Sequence, residues 1–211
     1  MTLEIGDHVW YWYDATNDVE HTSTDPDLPR LEWFPTSQNK TDYLGHGKEI
    51  AYYAFYDDCI QVGHPQMLSG PGTFAWLNRN PGNITDGGAD FGQIPGKLSW
   101  HRFLVFPTRE AGYDAIAQLL RTDKYIDLTI QAAFSRYAPA SDGNDPVRYA
   151  TQVANALGVD KDSTTIREVD DSGQLSVLQD SIAVMEGENN PGETLGYDSG
   201  DIPPAIQQLL A

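Results

Sequence analysis

Residues 48–64 read KEIAYYAFYDDCIQVGH: Glu49 precedes an apolar and aromatic run, Asp57 and Asp58 follow it, and a β-type run closes on Gly-His. An acid beside apolar side chains has its neutral form favoured, which raises its pKa and suits it to donate a proton. A carboxylate among polar neighbours stays ionised and can hold a water or stabilise a cation. Two carboxyls in two environments are what cleavage of a glycosidic bond requires. The same spacing also fits an ordinary strand or turn with solvated acids.

This stretch resembles the phage-type lysozymes, in which a catalytic Glu, eight residues, a catalytic Asp and a β-segment ending in Gly-His follow one another. Eight residues separate Glu49 from Asp58. The resemblance implies that Glu49 is the general acid and Asp58 the second carboxylate, which positions water or balances the oxocarbenium-like charge. The sequence departs from the family in three ways: Gly45, Gly47 and Lys48 before Glu49 make a poor end for the helix that carries the family's Glu, Ile50 replaces a glycine, and His64 stands where a threonine is expected.

Two further acids remain open as alternatives. Glu186 ends an apolar-striped helix predicted over residues 172–186 and is followed by Gly-Glu-Asn-Asn-Pro-Gly. That placement resembles how lysozyme-type folds present their acid, although a solvated residue at a helix end is the plainer interpretation. Asp57 is the alternative to Asp58, because a shift of one residue in register exchanges them.

Composition limits the class of protein. The chain has 211 residues, 40% of them hydrophobic, which fits one globular domain, or one with an embellished end. No apolar run approaches the ~18 residues of a membrane span, and the first residues lack the features of a signal peptide. The single cysteine, Cys59, excludes an internal disulfide, and the five histidines lack metal-ligand spacing, so we expect no metal and no cofactor.

Charge is unevenly distributed along the chain. The net charge of −18 comes from the two ends, since residues 64–137 are close to neutral. Binding to nucleic acid or to an anionic membrane is therefore not expected. The near-neutral middle is where an anionic or neutral polymer can approach.

Local patterns predict an α+β protein with a mostly helical second half and a small β-rich, loop-rich N-terminal part. Residues 8–14 predict a strand, residues 31–34 a possible short one, and residues 63–100 a long glycine-rich loop. Asn80 and Asn83 in that loop can bind the hydroxyl and N-acetyl groups of amino sugars, or serve as turn residues. Helix starts are predicted at Thr108, at Thr129, at Asp145-Pro146 and at Asp171 or Ser172, with a last short turn in residues 203–210.

A second resemblance covers residues 78–157. The segments NPGNI at 80–84, FLVFPT at 103–108, SRYAP at 135–139 and NDP at 144–146 are similar to phage virion-associated proteins and, distantly, to flagellar-type glucosaminidases. Both resemblances imply a lysozyme-like catalytic domain over residues 48–211 that cuts peptidoglycan glycan strands, with residues 1–47 as an N-terminal embellishment. The residues expected to bind substrate are His64, Asn80, Asn83 and Tyr137.

The acidic, signal-less form resembles lysozyme effectors that one bacterium injects into another, for example by type VI secretion. That resemblance implies a secretion apparatus and an immunity protein as partners, action in the target cell's periplasm, and a monomer without membrane insertion. Two other functions stay open. One is a non-catalytic virion or secretion-apparatus protein that binds cell wall. The other is a peptidoglycan amidase in which a histidine activates Cys59, although the β-type residues after Cys59 do not provide the helix that such enzymes open there.

Overall fold

A computed structural model describes residues 2–14, 18–26, 51–65 and 70–210 of the chain. Its strands are β1 (His8–Asp14), β2 (Val19–Ser23), β3 (Ala51–Phe55), β4 (Ile60–Gly63) and β5 (Glu193–Leu195). They form one antiparallel sheet in the order β2-β1-β3-β4-β5. The predicted strand at residues 8–14 is confirmed as β1, and the possible strand at 31–34 lies outside the described residues.

The central strand β3 is buried on both faces, which explains its unbroken apolar and aromatic sequence. Successive side chains point to opposite sides of a strand, so Tyr52 and Ala54 enter one core and Tyr53 and Phe55 another. The first core also contains Trp10, Trp12, Phe74, Trp76, Leu77 and Val105. The second is closed by residues from the end of the chain, Ile202 and Ile206.

The helices are α1 (Phe74–Leu77), α2 (Arg109–Leu120), α3 (Ile130–Tyr137), α4 (Pro146–Leu157), α5 (Ile166–Asp171), α6 (Leu175–Met185) and α7 (Pro204–Gln207). Most of them pack around a third core that contains Phe106, Ile116, Phe134, Val153 and Leu178. Helices and sheet together confirm the α+β class predicted from the sequence. Among the described helices, none has the length and apolar character to cross a bilayer.

Three predicted helix starts are confirmed by their caps. The Thr108 hydroxyl accepts from Ala111 N–H at 3.1 Å, and the Thr129 hydroxyl accepts from Ala132 N–H at 3.3 Å. The Asp145 carboxylate caps α4 with Pro146 at the first helical position. Each cap supplies an acceptor for a backbone N–H that has no partner inside the helix.

The fourth predicted start was wrong by several residues. Asp171 ends the short helix α5 rather than opening the next one, and α6 begins at Leu175. Gly173, with φ of +75°, separates the two helices, because this left-handed conformation cannot continue an α-helix. The end of α6 matches the prediction, since Glu186 is its C-cap and Gly187 follows with φ of +84°.

The predicted loop at 63–100 contains a buried part. Helix α1 is fully buried within it, and the segment 78–84 that follows is anchored by its asparagines. The Asn78 amide donates to the Ser99 hydroxyl at 2.7 Å. The Asn80 side chain is fully buried; it donates to the carbonyls of Ile84 and Leu104 and accepts from the Ile84 N–H. These bonds satisfy a buried loop whose backbone cannot reach water.

The predicted domain boundary at residue 47 lies in the part of the chain that is not described. Strands from both sides of it pair in one sheet, since β1 lies between β2 and β3. The division into an N-terminal embellishment and a catalytic domain stays a prediction.

Helix α2 approaches the 78–84 segment so closely that only glycine fits at Gly112. A Cβ there would lie 2.1 Å from the Arg79 carbonyl oxygen and 2.6 Å from Pro81 Cδ. Alanine gains about 1 kcal/mol of helix propensity over glycine, but overpacking against backbone costs about 1–3 kcal/mol or more. We expect Gly112→Ala to lower the free energy of unfolding by about 2 kcal/mol, measured by urea denaturation.

The matched control is Gly200→Ala, because a Cβ at Gly200 meets no atom within 4 Å. We expect it to change stability by less than about 0.5 kcal/mol. Equal stability of the two variants would show that helix α2 can move away from the 78–84 segment without cost.

Candidate functional site

Of the two carboxyls singled out by the sequence, the structure describes one. Glu49 lies outside the described residues. Asp58 lies in the turn between β3 and β4, where its side chain is 73% exposed and one oxygen is 3.0 Å from Arg79 Nη2. The hydrogen bond from Arg79 lowers the pKa of Asp58. Asp58 is thus an ionised surface carboxylate, and its pairing with Glu49 stays a prediction, as does the alternative of Asp57, which is also exposed.

Arg79 is a residue that the sequence analysis missed. Its guanidinium carbon lies 3.8 Å from the centre of the Tyr56 ring, and its Nη1 donates to the Pro107 carbonyl. Its backbone has φ of +50°, an uncommon conformation for a long side chain. Arg79 therefore ties the 78–84 segment to the turn that carries Asp58.

Cys59 is in an environment that disfavours a thiolate. The residue is 7% exposed, and burial raises the pKa of its thiol. Arg79 Nη2 donates to the sulfur at 3.4 Å, but this cation does not outweigh burial and the adjacent Asp58. The chain continues as strand β4, so no helix N-terminus lowers the thiol pKa.

Glu186, the alternative acid, is held between two donors. The carboxyl accepts from the Tyr149 hydroxyl on one oxygen and from Asn83 Nδ2 at 2.8 Å on the other. Burial raises the pKa of Glu186, and the two hydrogen bonds, which favour the charged form, offset only part of that effect. Residues far apart in sequence thus fix the orientation of one carboxyl with an elevated pKa.

The two asparagines of the second motif have different surroundings. Asn80 is fully buried, and its amide forms hydrogen bonds with the backbone of Ile84 and Leu104. It therefore serves as a turn residue and presents no polar atom to a ligand at the surface. Asn83 is half-buried, and it adopts φ of +44°, which asparagine tolerates better than most residues. Asn83 both bonds Glu186 and lines a groove.

That groove has a volume of about 640 Å³ and contains Tyr137, another predicted substrate-binding residue. Its lining combines Asn83, Ile84, Phe91, Tyr125 and Tyr137 with the charged residues Lys124, Arg136 and Asp142. The Tyr137 hydroxyl donates to the Gly82 carbonyl, so the phenol braces the 78–84 segment while its ring faces the groove.

His64 lies apart from this groove. It follows β4, is half-buried, and its backbone N–H donates to the Pro71 carbonyl at 2.7 Å. Asn83 and Tyr137 therefore line one groove, and Glu186 is linked to it through its hydrogen bond with Asn83 without lining it. His64 and Asp58 are not in that lining.

Glu188 is a second buried carboxyl that the sequence analysis did not single out. It is 3% exposed and lies 2.6 Å from Arg109 Nε through Oε1, while Oε2 makes no hydrogen bond within the described part of the chain. Burial raises the pKa of Glu188 to about 7, and Arg109 offsets only part of the shift. Its position two residues after Glu186 was the one feature of the sequence that could have indicated a second buried acid.

Fold and site define an α+β protein with an acid-bearing groove between its helices and the 78–84 segment. The sequence matches no protein-family model and no curated protein. Function is therefore inferred from the chemistry of the site.

Glu188 makes stability depend on pH. Its folded-state pKa of about 7 exceeds the ordinary value of 4.5, so its favourable contribution is complete below about pH 4.5 and is lost as pH rises through about 7. We expect Glu188→Gln to be more stable than the wild type at pH 8, by up to about 3 kcal/mol, and equal to it at pH 4. Urea unfolding at both pH values measures this difference.

Glu193→Gln removes the same charge from an exposed position in β5 and serves as the control. A pH-independent difference between Glu188→Gln and the wild type would show that Glu188 does not titrate in this range.

Proposed function

We propose that the protein is a peptidoglycan glycan-strand hydrolase of the lysozyme type and that Glu186 is its general acid. The observation that carries this proposal is the Glu186 carboxyl, whose pKa is raised by burial and which bonds the groove residue Asn83. A raised pKa favours the protonated form of a carboxyl, and the protonated form can donate its proton to the leaving oxygen of a glycosidic bond.

The groove has the size and lining that this substrate needs. A volume of about 640 Å³ falls in the range of small-ligand sites, which is roughly 300–1,000 Å³. The rings of Tyr125, Tyr137 and Phe91 provide apolar faces for sugar rings. The Asn83 nitrogen donates to Glu186, and its amide oxygen is buried without a hydrogen-bond partner in the described part of the chain.

A second carboxylate is required to activate water or to stabilise the oxocarbenium-like transition state. Asp142 is the one carboxylate in the described lining of the groove, and it is exposed. Asp58 is ionised but, unlike Glu186, has no hydrogen bond to a residue of that lining. We assign the role to Asp142, and the Glu49–Asp58 pair of the phage-type resemblance is the competing assignment.

The biological setting is part of the proposal. The resemblance to injected lysozyme effectors, together with the net charge of −18, supports action on thin periplasmic peptidoglycan. Walls with teichoic acid are strongly anionic and repel such a protein. An immunity protein and a secretion apparatus are the partners that this setting requires.

Replacement of the acid tests the proposal directly. We expect Glu186→Gln to lower the rate of glycan cleavage by about 100-fold or more, because the amide cannot donate the proton. Cleavage of purified Gram-negative sacculi is followed by mass spectrometry of the products, which distinguishes glycosidic from amide bonds. Glu193→Gln, which removes an exposed charge in β5 outside the groove lining, is the matched control.

Glu49→Gln, Asp58→Asn and Asp142→Asn belong in the same assay. If Glu49→Gln is inactive and Glu186→Gln retains wild-type activity, the activity stands and the acid is Glu49. If the wild type binds sacculi and releases no product, the non-catalytic cell-wall-binding alternative replaces the enzyme.

Tyr149 offers a second test through pH. Its hydroxyl stabilises the charged form of Glu186, so Tyr149→Phe raises the pKa of that carboxyl further. A general acid is lost as pH rises through its pKa. We expect the alkaline limb of the pH–rate profile to move to higher pH by on the order of 1 unit. If the alkaline limb stays in place or moves to lower pH in this variant, Glu186 is not the group whose ionisation produces it.

A further inference from the structure

The cations that lack carboxylate partners are concentrated at the groove. Most described Lys and Arg side chains are ion-paired, namely Arg79, Lys97, Arg102, Arg109, Arg121, Lys161 and Arg167. Within the described ranges, Lys124, Arg136 and Arg148 form no such pair. Two of these three, Lys124 and Arg136, line the groove. In a protein of net charge −18 with 31 acidic residues, two cations without carboxylates in one groove need an explanation.

Arg136 is exposed, and one hydrogen bond orients its guanidinium. It lies in the last turn of α3, and its Nη1 donates to the Lys124 backbone carbonyl at 2.8 Å. Its guanidinium carbon lies 5.9 Å from the centre of the Tyr125 ring. The remaining N–H groups of the Arg136 guanidinium make no hydrogen bond within the described residues. The guanidinium is therefore oriented and still able to donate to an oxyanion.

Lys124 is brought beside Arg136 by the turn between α2 and α3. Tyr125 N–H and Ile126 N–H both donate to the Thr122 carbonyl, which fixes the turn that presents Lys124. The Lys124 backbone carbonyl accepts from Arg136, which ties the guanidinium to the turn that carries Lys124. Both residues line the groove, so an anion bound there can meet both cations.

We propose, on the basis of the proposed function, that Lys124 and Arg136 form a subsite for a carboxylate carried by the glycan strand. That carboxylate is either the lactyl group of muramic acid, which is free where the stem peptide has been removed, or an acid of the stem peptide. Asp142 in the same lining bears the opposite charge and accepts from the Ser141 hydroxyl rather than pairing with these cations. The groove therefore has a cationic part for an anionic substituent and a separate carboxylate.

The test compares Lys124→Gln/Arg136→Gln with Arg148→Gln. Arg148 is also exposed and unpaired, lies on α4 and does not line the groove, so it controls for the loss of positive charge. Binding is measured by isothermal titration calorimetry in the Glu186→Gln background, which keeps the strand intact. The probes are glycan strands with stem peptides removed, strands with stem peptides, and a neutral chitin oligosaccharide with the same backbone.

We expect the double variant to raise the Kd for the anionic strands about tenfold, in line with the loss of charge-assisted hydrogen bonds. The chitin oligosaccharide should bind all variants equally, and Arg148→Gln should behave like its parent. Loss confined to strands without peptides assigns the lactyl carboxylate, and loss confined to peptide-bearing strands assigns the stem peptide. Equal Kd values in the double variant and Arg148→Gln, or an equal loss for chitin oligosaccharide, would overturn the subsite.

Failure of the subsite and failure of the proposed function give different results. If the wild type cuts glycan and the double variant binds anionic strands as tightly as its parent, the proposed function is supported and the proposed subsite is wrong. If binding depends on Lys124 and Arg136 but no bond is cut, the proposed subsite is supported and the proposed hydrolase activity is wrong. Arg136→Lys keeps the positive charge and loses the planar guanidinium. A Kd for anionic strands between those of the wild-type subsite and the double variant supports bidentate binding by Arg136. Thermal melting checks that each variant is folded.

Discussion

The fold depends on the hydrogen bonds of the buried 78–84 segment. Asn80 is fully buried; its side chain accepts from the Ile84 N–H and donates to the Leu104 carbonyl, two buried backbone groups that depend on it for a partner. An unsatisfied buried polar group costs about 1–3 kcal/mol, so the turn persists only in this arrangement. The same segment reaches the β3–β4 turn through Arg79 and the end of α6 through Asn83. The position of the Glu186 carboxyl thus follows from a turn about a hundred residues earlier.

Burial raises the pKa of two acids at the end of α6. Glu186 is the C-cap, and Glu188 follows closely, where the helix dipole also opposes negative charge. Arg109 partly stabilises the charge on Glu188, whereas Glu186 has only neutral donors, Tyr149 and Asn83. The neutral partners leave Glu186 able to gain and lose a proton beside the groove. The charged partner makes Glu188 a structural group.

The sequence predicted those parts of the fold that depend on neighbouring residues. Thr108, Thr129 and Asp145 cap the helices that they were expected to cap, because a cap needs only a side chain and the next few N–H groups. The start of α6 was misplaced because Gly173, whose left-handed backbone divides two helices, was not recognised as a break.

The site was harder to predict because its contacts are not local. Glu186 was weighed as an acid from its place at a helix end, but its donors Tyr149 and Asn83 are distant in sequence. Asn80 and Asn83 have similar neighbours in the sequence, yet only one is exposed to the groove, which depends on packing. Arg79 and Glu188 carried no recognisable pattern at all, since their partners are set by tertiary structure.

The pairing of the edge strand β5 with β4 constrains the order in which parts of the chain fold. Its pairing with β4 joins residues on the order of 130 positions apart, a loop whose closure is entropically costly in an unfolded chain. The helices between them must fold first to bring the two strands together, because local contacts form faster than distant ones. On a ribosome, β1 to β4 emerge long before β5, so β4 remains an unpaired sheet edge during synthesis. The sheet therefore stays incomplete until residues 193–195 have been synthesised.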